Sequence, residues 1–168
     1  LWSANEEIKN NSNLSNFVKR LNKKKLIKYN KNFRKIWEWS IKNPETFWSE
    51  IWDFTKIKGF KGKRILKKNK IFHKNIFFPD SKLNYAENLL PKKNEEIAID
   101  FVSENGIQKK ISWKNLYHKV CKFSYYLKKL NLKKGDRVVA YVPNKIDSIV
   151  SFFACAKNGV IWSSCSPD

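Results

Sequence analysis

The sequence has no methionine, two histidines, three cysteines, five glycines and five prolines. Each scarcity excludes something. Three cysteines, Cys121, Cys155 and Cys165, are an odd number without pairing spacing, so no disulfide framework is expected and a reducing compartment is. The glycines stand singly, at 59, 62, 106, 135 and 159, so no glycine-rich loop is available to cradle a phosphate. No apolar run approaches the ~18 residues of a membrane span, and the start lacks a basic region followed by an apolar stretch. These absences predict a soluble, cytoplasmic protein without a membrane partner.

Arginine is also scarce. Arg20, Arg34, Arg64 and Arg137 are the only ones in a chain whose formal net charge is +20. A field of that sign attracts nucleic acid or anionic membrane. Readers of nucleic acid lean on arginine, however, because its planar fork suits phosphate and guanine edges. Here the lysines are spread from Lys9 to Lys157 among abundant Asn and Ile. That pattern fits compositional drift, with Lys23-Lys24-Lys25, Lys67-Lys68 and Lys133-Lys134 as solvated faces and loops. The competing reading is a Lys-rich nucleic-acid-binding module. Salt titration separates the two, since a phosphate binder loses affinity steeply with ionic strength.

Aromatic residues are plentiful, with seven Trp and twelve Phe at 42% hydrophobic content overall, so the chain is built to fold. To about Thr55 the periodicity is helical. Phe33, Ile36, Trp37, Ser40 and Ile41 share one helical stripe, and Asn43-Pro44 reads as an N-cap with proline at the first position of a helix presenting Phe47, Trp48, Ile51 and Trp52. These aromatics read as packing surface. Residues 56–94 are irregular, with strand candidates at Ile65-Leu66 and Ile76-Phe78, then a helical turn in which Leu83, Ala86, Leu89 and Leu90 can face inward.

From Glu95 the pattern becomes α/β. Ile97–Val102 and Ile107–Ile111 flank Ser103-Glu104-Asn105-Gly106, a hairpin signal. Ser112 then caps a long helix with Leu116, Val120, Phe123, Leu127 and Leu130 on one face. Val138–Val142 is apolar without alternation, as in a strand covered on both faces. Asn144 is the expected cap of a helix with Ile146, Ile149, Val150, Phe153 and Ala154 buried; Gly159 ends it and Val160-Ile161-Trp162 opens a second covered strand. Strand, helix and strand with tight connections predict a parallel βαβ unit, the start of a doubly wound sheet. Leu1 at the start and Asp168 directly after an apolar run lead us to expect a piece of a longer protein.

Trp39-Ser40, Phe47-Trp48, Phe78-Pro79, Leu83-Asn84-Tyr85-Ala86-Glu87-Asn88-Leu89-Leu90, Gly135-Asp136-Arg137-Val138, Pro143-Asn144 and Ile161-Trp162-Ser163-Ser164-Cys165-Ser166-Pro167-Asp168 occur in this order. Together they resemble the acetoacetyl-CoA synthetases, a family of the adenylate-forming acyl-CoA synthetases. The resemblance implies an α/β fold: a helical N-terminal extension with a docked linker over 1–94, then at 95–168 the first strands and helices of an AMP-binding domain. It also implies a ligase using ATP, Mg2+ and coenzyme A with acetoacetate as small-molecule substrate; another short acid such as acetate or propionate stays open. Family members hold phosphates with a Gly/Ser/Thr-rich loop ending in lysine and carry a lysine on a mobile C-terminal domain. Neither element is in this sequence, so no catalytic residue is assigned and the chain alone is expected to be inactive.

One place is expected to touch a ligand. Ligands of open α/β sheets collect beyond the carboxyl ends of the strands, and Ser166, Pro167 and Asp168 follow the second one. The resemblance places them near the nucleotide part of coenzyme A; the alternative is a strand exit with no contact. Other constellations carry less. His118 and Cys121 lie one helical turn apart but lack a second pair, so no metal site is expected. Ser163-Ser164-Cys165 near a strand end lacks the glycines of a nucleophile elbow. Glu87 is a single carboxylate, and Asp136 reads as a turn residue bonding local backbone.

Overall fold

The computed structural model describes residues 2–28 and 32–167. Its backbone divides into two compact units, Leu1–Lys82 and Leu83–Asp168.

The first unit is mainly helical: α1 (Glu6–Asn11), α2 (Asn13–Lys23), α3 (Phe33–Lys42) and α4 (Pro44–Phe54). Side-chain caps start the first three. The Asn5 side chain accepts from the Ile8 amide, Ser12 from Ser15 and Asn32 from Arg34, each satisfying an otherwise orphaned donor. Proline opens α4 as expected, but the Asn43 side chain makes no cap bond to it. Its Nδ2 instead donates to the Trp39 carbonyl at 3.0 Å, closing the preceding helix. A short antiparallel pair follows, β1 (Leu66–Lys67) with β2 (Ile76–Phe77), at the positions predicted.

Phe17, Val18, Leu21, Ile36 and Trp52 are the buried apolar residues of this unit. Phe17 stacks edge-on against Phe47 and tilts against Phe54, with centroids 6.1 and 5.2 Å away; Trp52 meets Phe78 at 4.9 Å. The predicted α3 stripe is not the core: Ile36 is buried, while Phe33, Trp37 and Ile41 are each more than half exposed. Periodicity identifies a face able to be covered, not what covers it.

Glu50 is buried among these helices. Arg20 Nε donates to its Oε2 at 3.0 Å and Lys24 Nζ to its Oε1 at 2.6 Å, tying α2 to α4. Burial pushes the Glu50 carboxyl up, but hydrogen bonds and charge from Lys24 and Arg20 outweigh it and hold the group below the usual glutamate range. Lys24 is therefore more than the solvated lysine predicted.

The second unit is mixed α/β. It contains α5 (Tyr85–Leu89), β3 (Ile97–Val102), β4 (Gln108–Ser112), α6 (Trp113–Lys129), β5 (Arg137–Tyr141), α7 (Ile146–Asn158) and β6 (Ile161–Cys165). β3 and β4 form the expected hairpin. Its turn is tighter at the end than a plain loop: the Gly106 amide donates to the Ser103 carbonyl at 3.0 Å, and Gly106 takes φ +75°, open to glycine at little cost. Ser112 caps α6 by accepting from the Asn115 amide.

The core here is aliphatic. Leu116, Val120 and Leu127 of α6 pack with Val150, Ala154 and Cys155 of α7, with Val160, and with Ala86 and Leu90 around α5. Each buried leucine contributes about 1.5–3 kcal/mol of transfer free energy. Leu83, Leu89 and Leu130, expected inside, are exposed instead. α7 also begins differently: Lys145, not Asn144, is its N-cap residue, and no side chain caps it. Its end follows prediction, with Gly159 in the left-handed region at φ +71°.

Candidate functional site at the strand ends

β5 and β6 pair in parallel, in register from Arg137 with Ile161 to Tyr141 with Cys165. The helix joining them is α7, so the predicted βαβ unit is present. Parallel strands need such a crossover, and it brings both carboxyl ends to one edge.

That edge is held by few groups. Val142 N donates to the Cys165 carbonyl at 3.2 Å, extending the ladder one step. The Tyr141 hydroxyl donates to the Pro167 carbonyl at 2.9 Å and so fixes the exit from β6. From β5 the chain turns through Pro143, Asn144 and Lys145 into α7, where Ser148 Oγ donates to the Pro143 carbonyl at 2.7 Å. Ser166 and Pro167 lie directly beyond β6 and are exposed. Asp168, the third residue expected here, lies outside the described residues.

The opposite end of the unit explains two sequence motifs. In Gly135-Asp136-Arg137-Val138, the Asp136 carboxylate accepts from the Lys133 amide at 2.6 Å, closing the turn as predicted. The same segment seats β6: Ile161 N donates to the Asp136 carbonyl at 2.8 Å, and Gly135 N to the Gly159 carbonyl at 3.0 Å. In Leu83–Leu90, Asn84 Nδ2 donates to the carbonyls of Ala156 and Lys157 at 3.0 and 3.1 Å in the last turn of α7, where the Gly159 amide also donates to Ala156 at 3.1 Å. Ser124 and Asn158 exchange two further bonds, at 2.8 and 2.9 Å, between α6 and the last residue of α7. Sequence reasoning missed Asn84, Ser124 and Asn158 as positioning residues. Their partners lie 34 or more positions away, and only the place of Asn84 within a quoted motif hinted at a role.

The strands are less covered than predicted. Along β5 exposure alternates, with Val139 75% and Tyr141 69% exposed, and Ile161 of β6 is half exposed. One face of the pair is therefore open among the described residues. Ser163, Ser164 and Cys165 are plain strand residues in register with Val139, Ala140 and Tyr141. They do not form the sharp turn a nucleophile elbow requires. Cys155 is fully buried, which pushes its thiol up and away from the reactive thiolate. His118 is exposed and Cys121 partly buried on α6. No group of three or more His, Cys, Asp or Glu among the described residues could hold a metal ion, and no helix among them is long and apolar enough to cross a membrane.

Chemically, the strand exits offer a serine hydroxyl, a carbonyl already engaged by Tyr141, and the exposed Lys145. This set can line one side of a ligand. It cannot enclose a phosphate.

Comparison with known proteins agrees with this architecture. Residues 88–168 match the family described as AMP-binding enzyme, and residues 33–89 match the acetyl-coenzyme A synthetase N-terminus. The chain is similar to the AMP-binding enzyme family over residues 88–168, just under half of its length. It is 35% identical over 131 residues to acetoacetyl-coenzyme A synthetase of Rhizobium meliloti (strain 1021), covering 78% of this chain and 20% of that protein. It is 36% identical over 145 residues to acetoacetyl-CoA synthetase of Mus musculus, covering 82% and 21%. The fold matches a solved structure of acetoacetyl-CoA synthetase from Streptomyces lividans with a TM-score of 0.84 at 23% identity, covering 99% of this chain and 26% of that one. The chain thus spans about a fifth of the length of the curated relatives it matches.

Proposed function

We propose that the chain is the N-terminal portion of an AMP-forming acid–thiol ligase that converts acetoacetate, ATP and coenzyme A to acetoacetyl-CoA, AMP and pyrophosphate. The observation that carries this reading is the parallel β5–α7–β6 unit, its strand ends opening at one edge, in a chain whose relatives include acetoacetyl-CoA synthetases.

In that reaction the carboxylate attacks the α-phosphorus of ATP and the bond to pyrophosphate breaks. The thiol of coenzyme A then displaces AMP from the acyl-adenylate. Because two anions approach each other in the first step, fixed donors and cations must neutralise charge as it shifts. These 168 residues have no run of glycine and hydroxyl residues leading into lysine, and no group of three or more His, Cys, Asp or Glu among the described residues could hold a metal ion. We assign them a scaffold role, with no chemical step. Ser166, Pro167 and Asp168 are assigned a place beside the nucleotide part of coenzyme A, where an exposed hydroxyl suits one flank of an extended ligand.

The test uses the complete reading frame, assayed for pyrophosphate release with acetoacetate, acetate and propionate. Acetoacetate is expected to be fastest, and a clear preference for acetate would overturn the substrate assignment. The 168-residue chain alone is expected to release none above background; turnover by it would overturn the scaffold role. In the complete protein, Ser166→Trp should raise KM for coenzyme A while leaving acid-dependent ATP–pyrophosphate exchange intact. Equal loss of both activities would remove Ser166 from the coenzyme A neighbourhood.

A further inference from the structure

A depression of about 490 Å3 lies between β4 and α6, with Ile111 and Ile146 among its lining residues. Its α6 wall is Asn115, His118, Lys119 and Lys122. Their offsets of three, four and seven positions put them on one helical stripe. The β4 wall carries Lys109 and Lys110. Backbone geometry therefore gathers these cations from two elements around one concavity, which scattered compositional lysines would not require.

Their partners are unequal. Lys110 Nζ stands 3.2 Å from Asp100 and Lys119 Nζ 3.6 Å from Asp147. Lys109 and Lys122 have no carboxylate within 4.0 Å among the described residues. Some other lysines of this unit are answered, Lys114 by Glu95 at 2.7 Å, and Lys93 and Lys157 by the Tyr117 ring at 4.3 and 5.6 Å. Lys119 and Lys122 also stand three positions apart, a spacing at which like charges destabilise a helix. An anion seated between the walls would relieve that repulsion. The apolar lining strengthens the attraction by excluding part of the competing water.

We propose that this depression binds a small phosphate-bearing anion, with Lys109 and Lys122 as its facing cations and His118 and Asn115 as hydrogen-bond donors. The site lies on β4 and α6 and takes in Ile146 at the start of α7, and it does not rest on the ligase reading.

The test is a titration of the chain with inorganic tripolyphosphate at about 0.15 M salt, where diffuse attraction is largely screened. Saturable binding is expected, with amide resonances of Lys109, His118 and Lys122 shifting together. K109Q/K122Q should weaken it by about tenfold or more, the loss of two charge-assisted contacts. K67Q/K68Q removes the same charge from the first unit and should change it by less than about twofold. Glutamine matches lysine in helix propensity, so α6 persists in the variant. Equal weakening by both pairs, or no saturation, would overturn the proposal. So would a short single-stranded oligonucleotide that binds more tightly than tripolyphosphate and responds equally to both pairs, since that is the behaviour of general charge.

Discussion

The two units are stabilised by different means. The first encloses a charge, Glu50 between Arg20 and Lys24, and much of the unit's aromatic surface stays exposed. The second encloses an aliphatic core between α6 and α7, and its buried polar residue, Ser124, is neutral and bonded to Asn158. The contrast teaches where periodicity suffices. A helix packed on strands through leucine and valine announces its face by spacing alone. A unit joined by long-range ion pairs and scattered rings does not, because those partners have no fixed spacing in sequence.

The largest expected effect tests the aliphatic core. Leu116→Ala removes a side chain that is 1% exposed and should destabilise the protein by about 2–5 kcal/mol, read from the urea midpoint. Trp37→Ala, at a residue of the α3 stripe that is itself 52% exposed, should cost about 0.5 kcal/mol or less, as surface substitutions do. A larger loss from Trp37 would show the stripe to be covered and erase the difference drawn between the units.

Next comes the enclosed charge. Glu50→Gln leaves Arg20 and Lys24 without their anion and should cost about 1–3 kcal/mol near neutral pH. The folded carboxyl titrates below the usual range, so the unfolded chain takes up the proton first as pH falls. The stabilisation is therefore complete above the ordinary glutamate value of about 4.3 and is lost as pH drops through that value toward the folded one. Urea midpoints of the wild type and Glu50→Gln should converge on acidification. A constant gap from neutral to acid pH would mean that packing, not charge, is what Glu50 contributes.

Legibility in the sequence follows the same division. The parallel pair, the Ser112 cap, the Gly159 stop and the turn role of Asp136 could all be read from local signals, and each is present. Leu116, Val120, Leu127, Val150 and Ala154 were likewise readable from spacing and are buried. The Glu50 cluster was not, since its partners are 26 and 30 residues away. Nor was the single-sided cover of β5 and β6: an unbroken apolar run does not say which neighbours are there to cover it. For the candidate site, the position of Ser166 and Pro167 past β6 was legible from chain order. The Tyr141 bond to Pro167 that fixes this exit was not, because it joins residues 26 apart whose strands must first pair.

Helix starts give the smallest effect and the sharpest contrast within the second unit. α6 has a side-chain cap, Ser112 Oγ accepting from Asn115 N at 3.3 Å, whereas α7 has none at Lys145. Ser112→Ala should therefore cost about 1 kcal/mol. Lys145 holds extended backbone, φ −133° and ψ 167°, the conformation a capping serine needs. Lys145→Ser should thus gain about 0.5–1 kcal/mol by supplying an acceptor to the first turn of α7. Opposite signs in the two urea midpoints are expected. A loss at both positions would mean that Lys145 already satisfies the helix start by its charge or its stem, and that α7 reaches the strand exits by a different local balance from α6.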